Sequence, residues 1–127
     1  MFPVFVSHSD YQDAFASRFL DAFPDPFILP KDIWSIINQF FHLDLSGTHH
    51  VLLNTYSAKG PIPRPPASIQ RSFLLMIKTG ESSITKWCST LKSFPLYAIL
   101  SGFEVGDTPG VSSLTIKFQS IKIIPTL

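Results

Sequence analysis

The chain has 127 residues, 45% of them hydrophobic and 15% charged, with 12 Phe and a mean hydropathy of +0.23. That bounds it at one domain, able to bury roughly two-thirds of the surface its unfolded form exposes and too apolar to stay disordered. A net charge of +1 excludes a uniformly acidic or basic protein, and one cysteine, Cys88, excludes an intrachain disulfide. Cysteine usage points to a reducing, cytoplasmic setting. The start, Met1 to Val6, lacks the basic opening and long apolar core of a signal peptide. Apolar runs such as Phe73–Ile77 fall far short of the roughly 20 residues that span a bilayer, so no membrane partner is expected. The sparse charge leaves thin cover for a soluble surface and suggests Phe side chains that face a partner. Charge is also uneven: residues 1–44 sum to −4 and residues 45–103 to +5. A basic middle after an acidic start suits phosphate contacts, or is a scatter of solvated lysines.

In chain order, a first helix is expected from about Asp10 to Phe23. Ser9 and Gln12 form a capping-box pattern, Tyr11, Phe15 and Phe19 form one apolar face, and Pro24 and Pro26 stop it. A second helix is expected from Pro30 to about His42, with Asp32 in its first turn and a stripe of Ile33, Trp34, Ile37, Phe40 and Phe41. Val51-Leu52-Leu53 fits a short strand or a helical turn. Residues 59–66 contain four prolines and read as an extended linker, with Pro63 and Pro66 making one isolated PxxP. Ser68 is then the expected cap of a helix burying Ile69, Phe73, Met76 and Ile77, ended by Gly80. Ser82 or Ser83 caps the next, whose stripe is Ile84, Trp87, Cys88 and Leu91. Pro95 opens a third short helix, Leu96 to Ser101, closed by Gly102. The tail alternates: Leu114, Ile116 and Phe118 against Thr115, Lys117 and Gln119, a strand-like period. The expected fold is mainly α, an irregular bundle of about five short helices in two clusters. Its divisions are an N-terminal helical cluster (1–58), a proline-rich linker (59–66), a helical hairpin plus short helix (67–111), and a strand-like tail (112–127).

Within that order lies a series that resembles a known family. Arg64-Pro65-Pro66 is followed by Arg71-Ser72-Phe73-Leu74-Leu75-Met76 and by Ser83-Ile84-Thr85-Lys86-Trp87. Leu91 to Phe103 follows, with its Pro95 break and Gly102-Phe103, and then Gly106-Asp107-Thr108-Pro109-Gly110-Val111. The ordered series resembles the N-terminal region of bacterial insertion-sequence DDE transposases, strongly over residues 64–111 and loosely before them. The resemblance implies a helical region preceding the catalytic domain, and so a truncated transposase without catalytic activity of its own. In that family the Pro-Gly-Val loop runs into a further helix rich in Phe and Tyr. The change to strand period after Val111 therefore suggests an unrelated, frameshifted tail.

The chemistry on offer points the same way. DDE transposition uses three carboxylates on two divalent metals, but six of the nine acids here lie in the first 44 residues. Asp107 is expected in a turn or cap role before Pro109 rather than as a metal ligand. His42, His49 and His50 are close in sequence, yet a structural zinc wants four ligands and only distant Cys88 could join them. Cys88 lies on an apolar stripe, where core packing is expected. No catalytic residue, metal or cofactor is therefore assigned. The expected function is binding to transposon-end DNA, with Arg64, Arg71, Lys78, Lys86 and Lys92 contacting phosphate and Arg64 reaching from its extended segment. Two helices joined by a glycine turn fit a helix-turn-helix reader or a plain helical hairpin. The alternative function is a protein-interaction or dimerisation module, in which exposed aromatics pair the chain with itself or with full-length transposase.

Overall fold

The first helix begins two residues earlier than the serine–glutamine pattern predicts. In the computed structural model, which describes residues 5–45, 47 and 64–122, α1 runs His8–Ala22 and is capped by Ser7, whose Oγ accepts from the Asp10 amide at 3.1 Å. With Ser7 as cap, Asp10 is the third helical residue, still within the first turn, where the helix dipole favours an acid. Gln12, free of any capping role, donates from Nε2 to the Phe41 carbonyl at 2.9 Å. That bond ties α1 to the last turn of α2 (Lys31–Phe41), one of the helix-end carbonyls that needs an outside donor. A 3-10 turn, Pro26–Ile28, joins the two helices, and Pro30 precedes α2 as its cap residue rather than opening it. Between them runs an aromatic seam: Phe15 stacks on Phe19 at 5.3 Å, Phe15 meets Phe41 at 5.5 Å, and Phe19 meets the edge of Trp34 at 5.7 Å. Ile37 and Phe40 are the fully buried members of the α2 stripe, with Ile33, Trp34 and Phe41 half-buried beside them.

After the prolines, α3 runs Pro66–Lys78, α4 Ile84–Ser93, α5 Pro95–Ser101 and α6 Val111–Lys122. Pro66, assigned to the linker by composition, is the first residue of α3, a position where a missing amide costs nothing. Ser68 does not cap that helix; it is buried in it. Of the expected stripe, Ile69 and Met76 are buried in the core, Phe73 is half-buried and Ile77 is 56% exposed, while Ser68, Ser72 and Leu75 are buried on a further line. The reason is that α3 is covered by both α5 and α6, and its serines let α5 approach closely. Gly80 ends α3 as expected: its φ is +78°, its amide bonds to the Ile77 carbonyl, and the Glu81 amide reaches back to Met76, a Schellman arrangement.

The next two helices follow the sequence pattern closely. Ser83 caps α4 and Trp87, Cys88 and Leu91 are its buried face. The main packing of α4 is against α5 and α6 rather than back along α3, so α3 and α4 do not form a plain antiparallel hairpin. One buried bond links them, from Trp87 Nε1 to Ser72 Oγ at 2.9 Å. α5 is only seven residues long and is the centre of the molecule: Ala98, Ile99, Leu100 and Ser101 are wholly buried and α1, α2, α3 and α4 all pack on it. Gly102, φ +98°, closes it with a second Schellman pair, its own amide to Ile99 and the Phe103 amide to Ala98.

The tail corrects the expectation most. Residues 111–122 are helical, not strand-like. Leu114 and Phe118, one helical turn apart, are 0% and 1% exposed, whereas Ile116 between them is 62% exposed. Alternation at 114, 116 and 118 therefore hid an i, i+4 pair, the helix repeat that brings two side chains to one face. Phe118 meets Phe73 of α3 with ring centroids 5.0 Å apart. The change of period that suggested a frameshifted tail is not a change of structure. One core cluster takes Phe15, Phe19, Ile37 and Phe40 from before the prolines and Leu75, Trp87, Ile99 and Phe118 from after them, so the two expected clusters share a core. Val51-Leu52-Leu53, the prolines at 61 and 63 and residues 123–127 lie outside the described residues.

Candidate nucleic-acid interface

The α3–turn–α4 unit carries the basic residues on which a phosphate contact would depend. Lys78 is in the last turn of α3 and Lys92 in the last turn of α4; both are exposed. Those positions have an internal reason for a cation, because the carbonyl end of a helix carries partial negative charge. Lys86 has none. It lies in the first turn of α4, where its own amide donates to the Ser83 cap at 3.3 Å and where a cation opposes the helix dipole. Its side chain is exposed, and among the described residues none of these three lysines is in a salt bridge. An anion placed near the start of α4 would meet both Lys86 and the positive helix end.

The two predicted arginines are engaged within the fold. Arg64 is half-exposed, its Nη2 paired with Asp107 Oδ1 at 2.9 Å and its guanidinium over the Phe103 ring at 5.8 Å. Asp107 closes a tight turn with Glu104, its amide donating to the Glu104 carbonyl at 3.0 Å, and Gly106 supplies the positive φ that a type II turn needs. The other acid of the turn, Glu104, faces Arg18 at 3.6 Å. Asp107 thus has the expected turn role and serves as the acid partner of Arg64, not as a cap.

Arg71 is withdrawn from the phosphate-contacting set. Only 1% of it is exposed, and its guanidinium lies 3.5 Å from the centroid of the Tyr11 ring, a cation–π contact inside the protein. Burial pulls its pKa down, with Tyr11 and Asp44 opposing that shift. Among the described residues its Nε has no hydrogen-bond partner. Tyr11 in turn donates from its hydroxyl to the Leu100 carbonyl at 2.6 Å, so the stack joins α1, α3 and α5. Sequence reasoning missed this arrangement; the signal was a lone arginine between Ser68 and Ser72 on the i, i+4 line that faces α5.

No other chemistry gathers nearby. Among the described residues, no three His, Cys, Asp or Glu side chains come together in a way that could hold a metal. His42 is exposed beyond α2, and His49 and His50 lie outside the described residues. Cys88 is buried in the core as expected, and burial pushes its thiol pKa up while Lys92 pulls it down. No helix among the described residues is long and apolar enough to cross a membrane. Compared with family models, curated proteins and solved structures, the chain gives no match.

Proposed function

We propose that the chain is a DNA-binding helical module of the insertion-sequence transposase type, which grips transposon-end DNA through the α3–turn–α4 unit. The observation that carries this reading is Lys86, an exposed cation placed against the dipole of its own helix, where helix stability gives no reason for it. Lys78 and Lys92 extend the basic surface, and Arg64 adds to it where a phosphate displaces Asp107. A helix follows Pro109-Gly110, but with one Phe and no Tyr it is not the Phe- and Tyr-rich helix that the resemblance implies at that point. In this reading the module positions DNA and takes no part in bond breakage.

Salt dependence tests it. Each neutralised phosphate contributes a slope of about −0.9 to log K against log salt, so three lysine contacts give a slope of about −3. The measurement is fluorescence anisotropy of a labelled DNA duplex bearing an insertion-sequence terminal repeat, titrated with the full chain across a salt series. Binding that ignores salt, or no binding at low salt, sinks the reading.

A further inference from the structure

Two salt bridges meet on one short turn. Glu104 faces Arg18 of α1 at 3.6 Å, and three residues on Asp107 holds Arg64 at 2.9 Å. The carboxylates are the exposed partners, 70% and 73%, against 32% and 33% for the arginines. The turn itself is fixed by other means. The Asp107 amide donates to the Glu104 carbonyl, Gly106 supplies the positive φ, and Phe103 and Pro109 on either side are buried. The Asp107 carboxylate is therefore not required to shape the backbone; what it does is occupy Arg64. The guanidinium has a second anchor in the Phe103 ring, 5.8 Å from its centroid, which stays when the carboxylate leaves.

We infer that Asp107 is an autoinhibitory acid, an internal competitor that keeps Arg64 from nucleic-acid phosphate until a duplex already held at the lysines displaces it. This rests on the DNA-binding reading above and adds to it how Arg64 is controlled. Arg64 stands just before α3 and Lys78 in its last turn, roughly 20 Å apart at 1.5 Å per residue. That span is shorter than one turn of a duplex, so one DNA molecule can reach both. An exposed pair is favoured by roughly fivefold at most, whereas a guanidinium takes phosphate in a bidentate, charge-assisted contact. Displacement is therefore within reach of a phosphate that the lysines hold close, and out of reach of a dilute anion. Arg64 and Asp107 together bring no net charge to the duplex, so with the pair intact the salt slope counts the lysines alone.

A salt series on the same labelled duplex, run with the full-length wild type, Asp107→Asn, Arg64→Gln and the double variant, tests it. Asparagine suits a turn and removes only the charge, and circular dichroism checks that each protein is folded. Asp107→Asn should bind roughly two- to fivefold tighter at fixed salt, with a slope steeper by about 0.9, one further phosphate. In the Arg64→Gln background the same substitution should leave the slope unchanged. Glu104→Gln, which removes the same charge from the same turn but beside Arg18, should keep the wild-type slope. Asp107→Asn and Glu104→Gln steepening the slope alike, or Asp107→Asn acting equally with and without Arg64, would show bulk charge at work and overturn the inference. So would an Asp107→Asn protein that binds as the wild type does, a result that leaves the lysine contacts standing because the wild-type slope persists. Failure of both the wild type and Asp107→Asn to bind the duplex at low salt overturns the two readings together.

Discussion

Tyr11 is the residue through which three helices meet, and its proton reports on that junction. Burial disfavours the phenolate and pushes the Tyr11 pKa up to about 12; the Arg71 guanidinium on its ring pulls the other way and does not win. In the unfolded chain the phenol ionises near pH 10. Between about pH 10 and about pH 12 the folded protein therefore keeps a proton that the unfolded chain has released. The stabilisation is complete below pH 10 and is lost as pH rises toward 12, by about 2–3 kcal/mol in all. Urea melts of the wild type at about pH 9 and about pH 11.5 should show that fall. Tyr11→Phe should lack this part of the slope, and should be less stable by about 1–2 kcal/mol at the lower pH because the Leu100 carbonyl loses its donor.

Two glycines separate a backbone requirement from a packing requirement. Gly80 and Gly102 both have positive φ, but a Cβ on Gly80 meets open space, whereas one on Gly102 would lie 2.7 Å from Ser68 Oγ. Gly80→Ala should therefore cost about 1–2 kcal/mol, the penalty of the left-handed conformation alone. Gly102→Ala should cost clearly more, and in a Ser68→Ala background the excess should shrink toward the Gly80 value. A double-mutant cycle by chemical denaturation reads that coupling directly.

At the scale of elements, the tail helix makes the sharpest claim. If α6 belongs to the core, Leu114→Ala should destabilise the protein by about 2–5 kcal/mol and Phe118→Ala by about 3–5 kcal/mol, while Ile116→Ala should change little. Thermal melts of the three variants decide it, and equal small effects would remove α6 from the core. This helix also shows what could be read from residues and what could not. α4 and α5 were legible because local signals agree: Ser83 caps, residues 84, 87, 88 and 91 repeat at helical spacing, and Pro95 and Gly102 bracket a short segment. α6 was illegible because alternate apolar positions coincide with an i, i+4 pair over one turn, and only the helix behind it selects between the two periods. The buried face of α3 was legible only in part, for a related reason. Hydrophobicity finds Ile69 and Met76 but overrates Phe73 and Ile77 and misses Ser68 and Ser72, because helices cover α3 on two sides and close approach of α5 favours serine. Of the candidate site, the lysines were legible from charge alone. The serines flanking Arg71 hinted at its burial, but nothing local in the sequence marked the aromatic ring, 60 positions away, over which its charge sits.

For the whole molecule, the short α5 at the centre explains how acidic and basic halves form one body. Helices from both sides of the prolines pack on it, so α1 and α2 are held beside the α3–turn–α4 unit while the lysines of that unit remain outside the core. Arg71 thus lies inside the fold and the lysines at the surface, so the proposed phosphate contact can be tested separately from the fold. The most direct measurement is the salt-dependent affinity for duplex DNA of three folded proteins: wild type, Lys78→Gln/Lys86→Gln/Lys92→Gln, and Arg71→Met. The account predicts a wild-type slope of about −3, near zero for the lysine variant, and an unchanged slope for Arg71→Met. A lysine variant that keeps the wild-type slope, or an Arg71→Met protein that loses it while still folded, would contradict the account.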